Sequence, residues 1–206
     1  MIYKLFDFVW QTPNGKNKHI NHHLSLSHFT MKKKDLIKHL QDCKAIQFGK
    51  FVLTSGAVSD YYIDIKKAST NPQILKMMAE FLSPYTKGYD LIAGMELGAV
   101  PLLVALSLET SLPYVIVRKE KRGHGTAKQI EGDLVDHKKV LIIEDVTTSG
   151  GSVVNTIHIL REYKALVDKV IVVVDREAGA AEKLQDLDIS FIPIITVSEI
   201  IKNSAH

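Results

Sequence analysis

The chain has 206 residues, 46% of them hydrophobic and 24% charged, with a formal net charge of +3. That length suits one α/β domain with a full core and is short for two, and so mild a charge does not argue for nucleic acid. A single cysteine, Cys43, excludes a disulfide framework, no apolar run reaches the ~18 residues of a membrane span, and the N-terminus lacks the pattern of a secretory signal. A cytoplasmic, single-domain protein without a membrane partner is expected.

Residues 1–30 stand apart and read as an irregular leader or extension to which the sequence assigns no role. They hold Trp10, the only tryptophan, and His19, His22, His23 and His28 of the nine histidines, with no sustained periodicity. The histidines would suit a metal, but an irregular polar extension accounts for them. Met31 opens Met31-Lys32-Lys33-Lys34-Asp35, and residues 31–206 form the expected domain. From Asp35 to about Gln47, Leu36, Ile37, Leu40, Cys43 and Ile46 recur at helical spacing, which predicts an amphipathic helix. Phe51–Leu53 and Tyr61–Ile65 read as strands around a turn-rich segment, Thr54 to Asp60. Asn71 is a natural N-cap with Pro72 at the first helical position.

A regular alternation follows. Leu91–Gly94, Tyr114–Val117, Val140–Ile143 and Val170–Val174 are short, continuous apolar runs, as strands buried on both faces require. Helical segments near 98–110, 152–164 and 178–186 separate them. The pattern is βαβαβ and predicts a parallel sheet flanked by helices, with a small N-terminal hood. Phe191 to Val197 reads as a further strand, grouped with the hood.

The most informative stretch is Val140 to Ser152, where an apolar strand ends in Glu144-Asp145 and runs through Val146-Thr147-Thr148-Ser149-Gly150-Gly151 into a helix. Open α/β sheets bind ligands at the carboxyl ends of their strands. Gly150 and Gly151 let backbone N–H groups approach an oxyanion, and the hydroxyls of Thr147, Thr148, Ser149 and Ser152 add donors. The helix start presents unpaired N–H groups that favour a phosphate. Glu144 and Asp145 suit ribose hydroxyls, or Mg²⁺ reached through water. Neither G-x-x-x-x-G-K-[ST] nor G-x-G-x-x-G is present, so neither a P-loop nor a dinucleotide site is implied.

At these residues the chain resembles the type I phosphoribosyltransferases, which bind 5-phosphoribosyl 1-pyrophosphate (PRPP). The resemblance implies that Glu144 and Asp145 hold the ribose 2- and 3-hydroxyls while Val146 to Ser152 wrap the 5-phosphate. Three further segments resemble the orotate phosphoribosyltransferases within that family. Arg118-Lys119-Glu120-Lys121-Arg122-Gly123-His124-Gly125, with Glu131-Gly132 downstream, is similar to their mobile R-K-E-x-K-x-H-G loop. It implies that Arg118, Lys119, Arg122 and His124 meet the pyrophosphate, with Lys119, Arg122, His124 and Asp145 catalytic. Arg122 stands where the family usually has lysine, and lysine and arginine donate differently. Phe48 to Gly56, continuing to Asp64, is similar to the hood over the base, where Tyr61 and Tyr62 are candidate orotate contacts. The family's usual lysine is replaced by Thr54, for which Lys66 or Lys67 could substitute. Asp175-Arg176-Glu177 is similar to D-R-E/Q, so Arg176 and Thr148 are further orotate candidates. Arginine suits a carboxylate and carbonyls lying in one plane. Gly94 to Ala99 takes the place of the pyrophosphate loop, with Leu97 where many relatives carry lysine.

The resemblance implies Mg²⁺ brought by PRPP, no direct protein metal site, and a homodimer that shares the mobile loop. A transferase for another base would share the phosphate loop but not the 118–125 and 175–177 segments. A PRPP-sensing regulator would need a nucleic-acid surface. Residues 1–34 are basic, with Lys4, Lys16, Lys18, Lys32, Lys33 and Lys34 against Asp7 alone, but have no recognisable helix-turn-helix or aromatic-basic pattern. No nucleic-acid partner is expected.

Overall fold

The computed structural model describes residues 10–11, 17–18, 32–52, 56, 58–120 and 128–204. The chain divides into two compact units, 1–30 and 31–206. In the first, β1 (Trp10–Gln11) pairs antiparallel with β2 (Asn17–Lys18). The four leader histidines lie outside the described residues.

The second unit begins with α1 (Lys33–Asp42), which buries Leu36, Ile37 and Leu40. The predicted helix ran to about Gln47, and the structure ends it five residues earlier. Lys44 turns the chain with φ of +59°, and Ile46 starts strand β3 (Ile46–Val52). Ile46 is buried, so it extends the apolar rhythm without extending the helix. β3 pairs antiparallel with β4 (Val58–Ile63). The strand expected to reach Ile65 stops at Ile63, because Asp64 caps a short helix, α2 (Ile65–Ser69), by accepting from the Lys67 N–H. In α3 (Pro72–Leu82), Asn71 accepts from the N–H groups of Gln73 and Ile74 with Pro72 in the first turn, as the residue types demand. A 3-10 turn, Ser83–Thr86, follows.

The remaining strands are β5 (Leu91–Met95), β6 (Tyr114–Val117), β7 (Ile130–Glu131), β8 (Lys139–Thr147), β9 (Leu166–Asp175) and β10 (Ser190–Thr196), interleaved with helices α4 (Ala99–Thr110), α5 (Gly151–Glu162), α6 (Ala180–Gln185) and α7 (Val197–Ser204). They form one sheet ordered β10-β9-β8-β5-β6-β7, parallel except for the short antiparallel edge strand β7. The strand grouped with the hood is therefore a sheet strand, since β10 lies parallel to β9. Burial explains the apolar runs. Leu141 and Ile143 pack into one cluster with Leu36, Met78 and Leu102, whereas Val140 and Ile142 pack into another with Val153, Ile157 and Leu160. Alternate residues of one strand thus feed two cores, one under α1, α3 and α4 and the other under α5.

The order of strands reverses beside β5: the chain moves outward to β6 and then returns to place β8 on β5's other side. Such a switch point opens a crevice at the strands' carboxyl ends. Among the described residues, no helix is long and apolar enough to cross a membrane.

Candidate active site

Four strand ends meet at this crevice. After β5 come Glu96, Leu97 and Gly98; after β6, Arg118 and Lys119; the end of β8 carries Glu144 to Thr147; after β9 come Arg176 and Glu177. Glu144 and Asp145 are only 6% and 8% exposed, which is costly for carboxylates without compensation. Burial pushes the Glu144 carboxyl well above its usual range, the adjoining Asp145 adds to this, and the Lys119 charge opposes it. Glu144 Oε2 is buried without a hydrogen-bond partner among the described residues, an atom that a ligand donor would satisfy.

Asp145 is seated against a glycine. A Cβ on Gly98 would lie 2.2 Å from Asp145 Oδ2 and 2.3 Å from its Cγ. Gly98→Ala is therefore expected to drive the Asp145 carboxylate from its seat and to cost about 1–3 kcal/mol through overpacking. Urea denaturation would measure this, and a variant as stable as the parent would contradict the packing.

The turn after β8 has the features the sequence suggested for an oxyanion. Gly150 adopts φ of +76° as N-cap of α5 and leaves that helix start without a side-chain cap. It is also pressed against α6, since an added Cβ would meet Ala180 Cα at 3.2 Å. Thr148, Ser149, Gly151 and Ser152 are exposed there, beside the first N–H groups of a 12-residue helix. Thr147 differs from its neighbours. Its hydroxyl is buried and donates to Asp175 Oδ1 at 3.1 Å, so it ties two strand ends together. Val146 is part of β8, half-buried and packed against the core.

The Arg176 N–H donates to the Thr147 carbonyl at 2.9 Å. The Arg176 guanidinium stands 5.2 Å from the Tyr61 ring centroid, within cation–π range, and its Nε is buried without a partner among the described residues. The structure thus brings Arg176 and Tyr61 together. Tyr62, next along β4, points to the other face and packs against Phe51 with centroids 5.6 Å apart.

The basic segment is anchored at its base. Glu96 Oε1 accepts from the Lys119 N–H at 3.0 Å. Arg118 and Gln129 bond through their backbones at 2.9 Å, and Gln129 Nε2 also donates to the Arg118 carbonyl at 3.1 Å. Arg118 pairs with Glu131 at 3.2 Å while its Nε is buried without a partner among the described residues. Arg122, His124 and the rest of 121–127 lie outside the described residues, as does Thr54. Leu97, in the loop after β5, is 70% exposed and follows a cis peptide bond from Glu96. Sequence reading set Glu96 and Gly98 in the pyrophosphate loop and Gln129 just after the basic segment, but gave none of the three a role of its own. Gly98 carries no local signal, because its role is set by a carboxylate from another strand.

Residues 69–202 match the family model described as a phosphoribosyl transferase domain. Fold and strand-end loops together therefore define a phosphoribosyltransferase. The orotate phosphoribosyltransferase of Methanocaldococcus jannaschii is 49% identical over 170 residues, covering 82% of this chain and 97% of that one. That of Pyrococcus horikoshii is 51% identical over 177 residues, covering 84% and 95%. The crystal structure of orotate phosphoribosyltransferase from Aeropyrum pernix superposes with a TM-score of 0.75 at 30% identity, covering 82% and 98%. The chain belongs to the orotate phosphoribosyltransferase family.

Proposed function

We propose that the protein transfers the phosphoribosyl group of PRPP to orotate, giving orotidine 5-phosphate and pyrophosphate in pyrimidine biosynthesis. The observation carrying this reading is the joint placement of two buried acids, an uncapped helix start and Arg176 over Tyr61 at adjoining strand ends. Each suits one part of the two substrates. Glu144 and Asp145 accept from the ribose hydroxyls, Thr148 to Ser152 hold the 5-phosphate through N–H and hydroxyl donors while core-packed Val146 and Asp175-bound Thr147 only brace that turn, and Arg176 takes the orotate carboxylate beside Tyr61 and Thr148.

Orotate N1 is an anion in its reactive form, so the acceptor needs no strong base. The barrier lies in departure of pyrophosphate from an oxocarbenium-like ribose. Arg118, Lys119, Arg122 and His124 neutralise the charge that builds on the leaving group. Glu144 and Asp145 suit Mg²⁺ only through water. They are adjacent buried carboxyls, and among the described residues no group of three or more acids, histidines or cysteines could hold a metal. Mg²⁺ arriving with PRPP would supply further neutralisation of the diphosphate. The family resemblance supports a cytoplasmic homodimer in which the 118–125 loop serves a neighbouring subunit's site.

A panel of acceptors tests the reading: protein, PRPP and Mg²⁺ are incubated separately with orotate, adenine, hypoxanthine and uracil. PRPP-dependent consumption of orotate alone, with release of pyrophosphate, is expected. Turnover of a purine in place of orotate would overturn the acceptor assignment, and turnover of none would favour a PRPP-sensing regulator.

A further inference from the structure

Lys66 occupies a place that the reactions of neighbouring cations do not explain. It lies in the first turn of α2, a helix whose Ile65 and Ala68 are buried and which packs on both β8 and α4. Its backbone is therefore fixed to the strand that bears the acids. Asp64 Oδ1 caps this helix and also lies 3.3 Å from Lys66 Nζ. The Lys66 side chain is still 54% exposed, so solvent and ligands reach the ammonium. Burial alone would lower its affinity for a proton, but Asp145 and then Asp64 outweigh that effect and hold Lys66 above the ordinary lysine value. Lys66 thus stands on a helix packed against the strand that bears Asp145 and feels that carboxylate's charge, as Glu144 feels the charge of Lys119.

An anionic sugar diphosphate cannot approach two buried carboxyls without repulsion unless cations stand at the rim. The loop after β5 offers Leu97 rather than a cation at its most exposed point. An ammonium has three donors, and Asp64 engages one. We infer that Lys66 is a substrate-binding residue that donates to the diphosphate oxygens of PRPP from the Asp145 side of the site. This rests on the transferase reading above. Neighbouring Lys67 differs in role, since its backbone N–H is what Asp64 caps.

Direct titration of Mg²⁺-PRPP into the wild type, Lys66→Gln, Lys66→Arg and the surface control Lys76→Ala tests the inference, with steady-state kinetics alongside. Losing one charge-assisted contact should raise the Kd and KM for PRPP about tenfold in Lys66→Gln. Saturated turnover and the KM for orotate should stay within about twofold, Lys66→Arg should recover most of the loss, and Lys76→Ala should match the wild type. PRPP affinity within about twofold of wild type in Lys66→Gln would overturn the inference. So would an equal loss in Lys66→Arg accompanied by a lower Tm, because that marks a merely structural partner of Asp64. A wild type that binds PRPP but does not consume orotate removes the acceptor reading alone, and this inference still stands or falls on the Lys66→Gln affinity. A wild type that does not bind PRPP overturns both.

Discussion

Replacing Arg176 by alanine is expected to raise the KM for orotate by about two orders of magnitude and to leave the KM for PRPP nearly unchanged. A guanidinium forks onto a carboxylate through two charge-assisted hydrogen bonds, each contributing about 1.5–3 kcal/mol. Losing both corresponds to at least a hundredfold at 1.4 kcal/mol per tenfold. The fold should tolerate the change. The guanidinium has a buried Nε without a partner among the described residues, a penalty that disappears with the side chain, while a cation–π contact with Tyr61 is lost. These act in opposite directions, so Tm should move little. A lysine at 176 should recover only part of the binding, since it cannot fork. If Arg176→Ala kept a normal KM for orotate, or raised the KM for PRPP instead, the base would have to sit elsewhere.

Lys119→Ala is expected to lower kcat by about 10²–10³, the usual loss when one preorganised contact to developing charge is removed. The change should leave the domain folded, because the tie from this segment to Glu96 runs through the Lys119 backbone N–H, which alanine retains. A second effect has the same sign. The Lys119 ammonium opposes the upward push on Glu144, so its loss drives that carboxyl further toward the protonated form and weakens its grip as an acceptor. Stopped-flow measurement of pyrophosphate release at saturating substrates separates the chemical step from binding. Turnover within about threefold of wild type would remove Lys119 from the mechanism.

Much of this arrangement was legible in the chain itself, for reasons particular residues make clear. Val140 to Ile143 is wholly apolar because alternate residues enter different cores, and that pattern needs no structure to recognise. Asn71-Pro72 marks a helix start through local chemistry. The Glu144 to Ser152 stretch concentrates acids, hydroxyls and glycines in one short span. What escaped depends on distant partners or on short elements. The end of α1 was hidden because Cys43 and Ile46 keep the helical rhythm while Lys44 turns the chain. α2, five residues long, is too short to show a period. β10 looked the same as a hood strand, since sequence alone does not say which sheet a strand joins. Gly98 meets Asp145, 47 residues further along the chain (145 − 98), and nothing in its own neighbourhood announces it.

The hydrogen bonds joining Thr147 to Asp175 and Arg176 to Thr147 weld the turn proposed to hold the sugar to the turn proposed to hold the acceptor. Because one of these runs entirely through main chain, it survives almost any exchange of side chain at position 176. A change of side chain at the second turn therefore leaves the angle between the two turns unchanged.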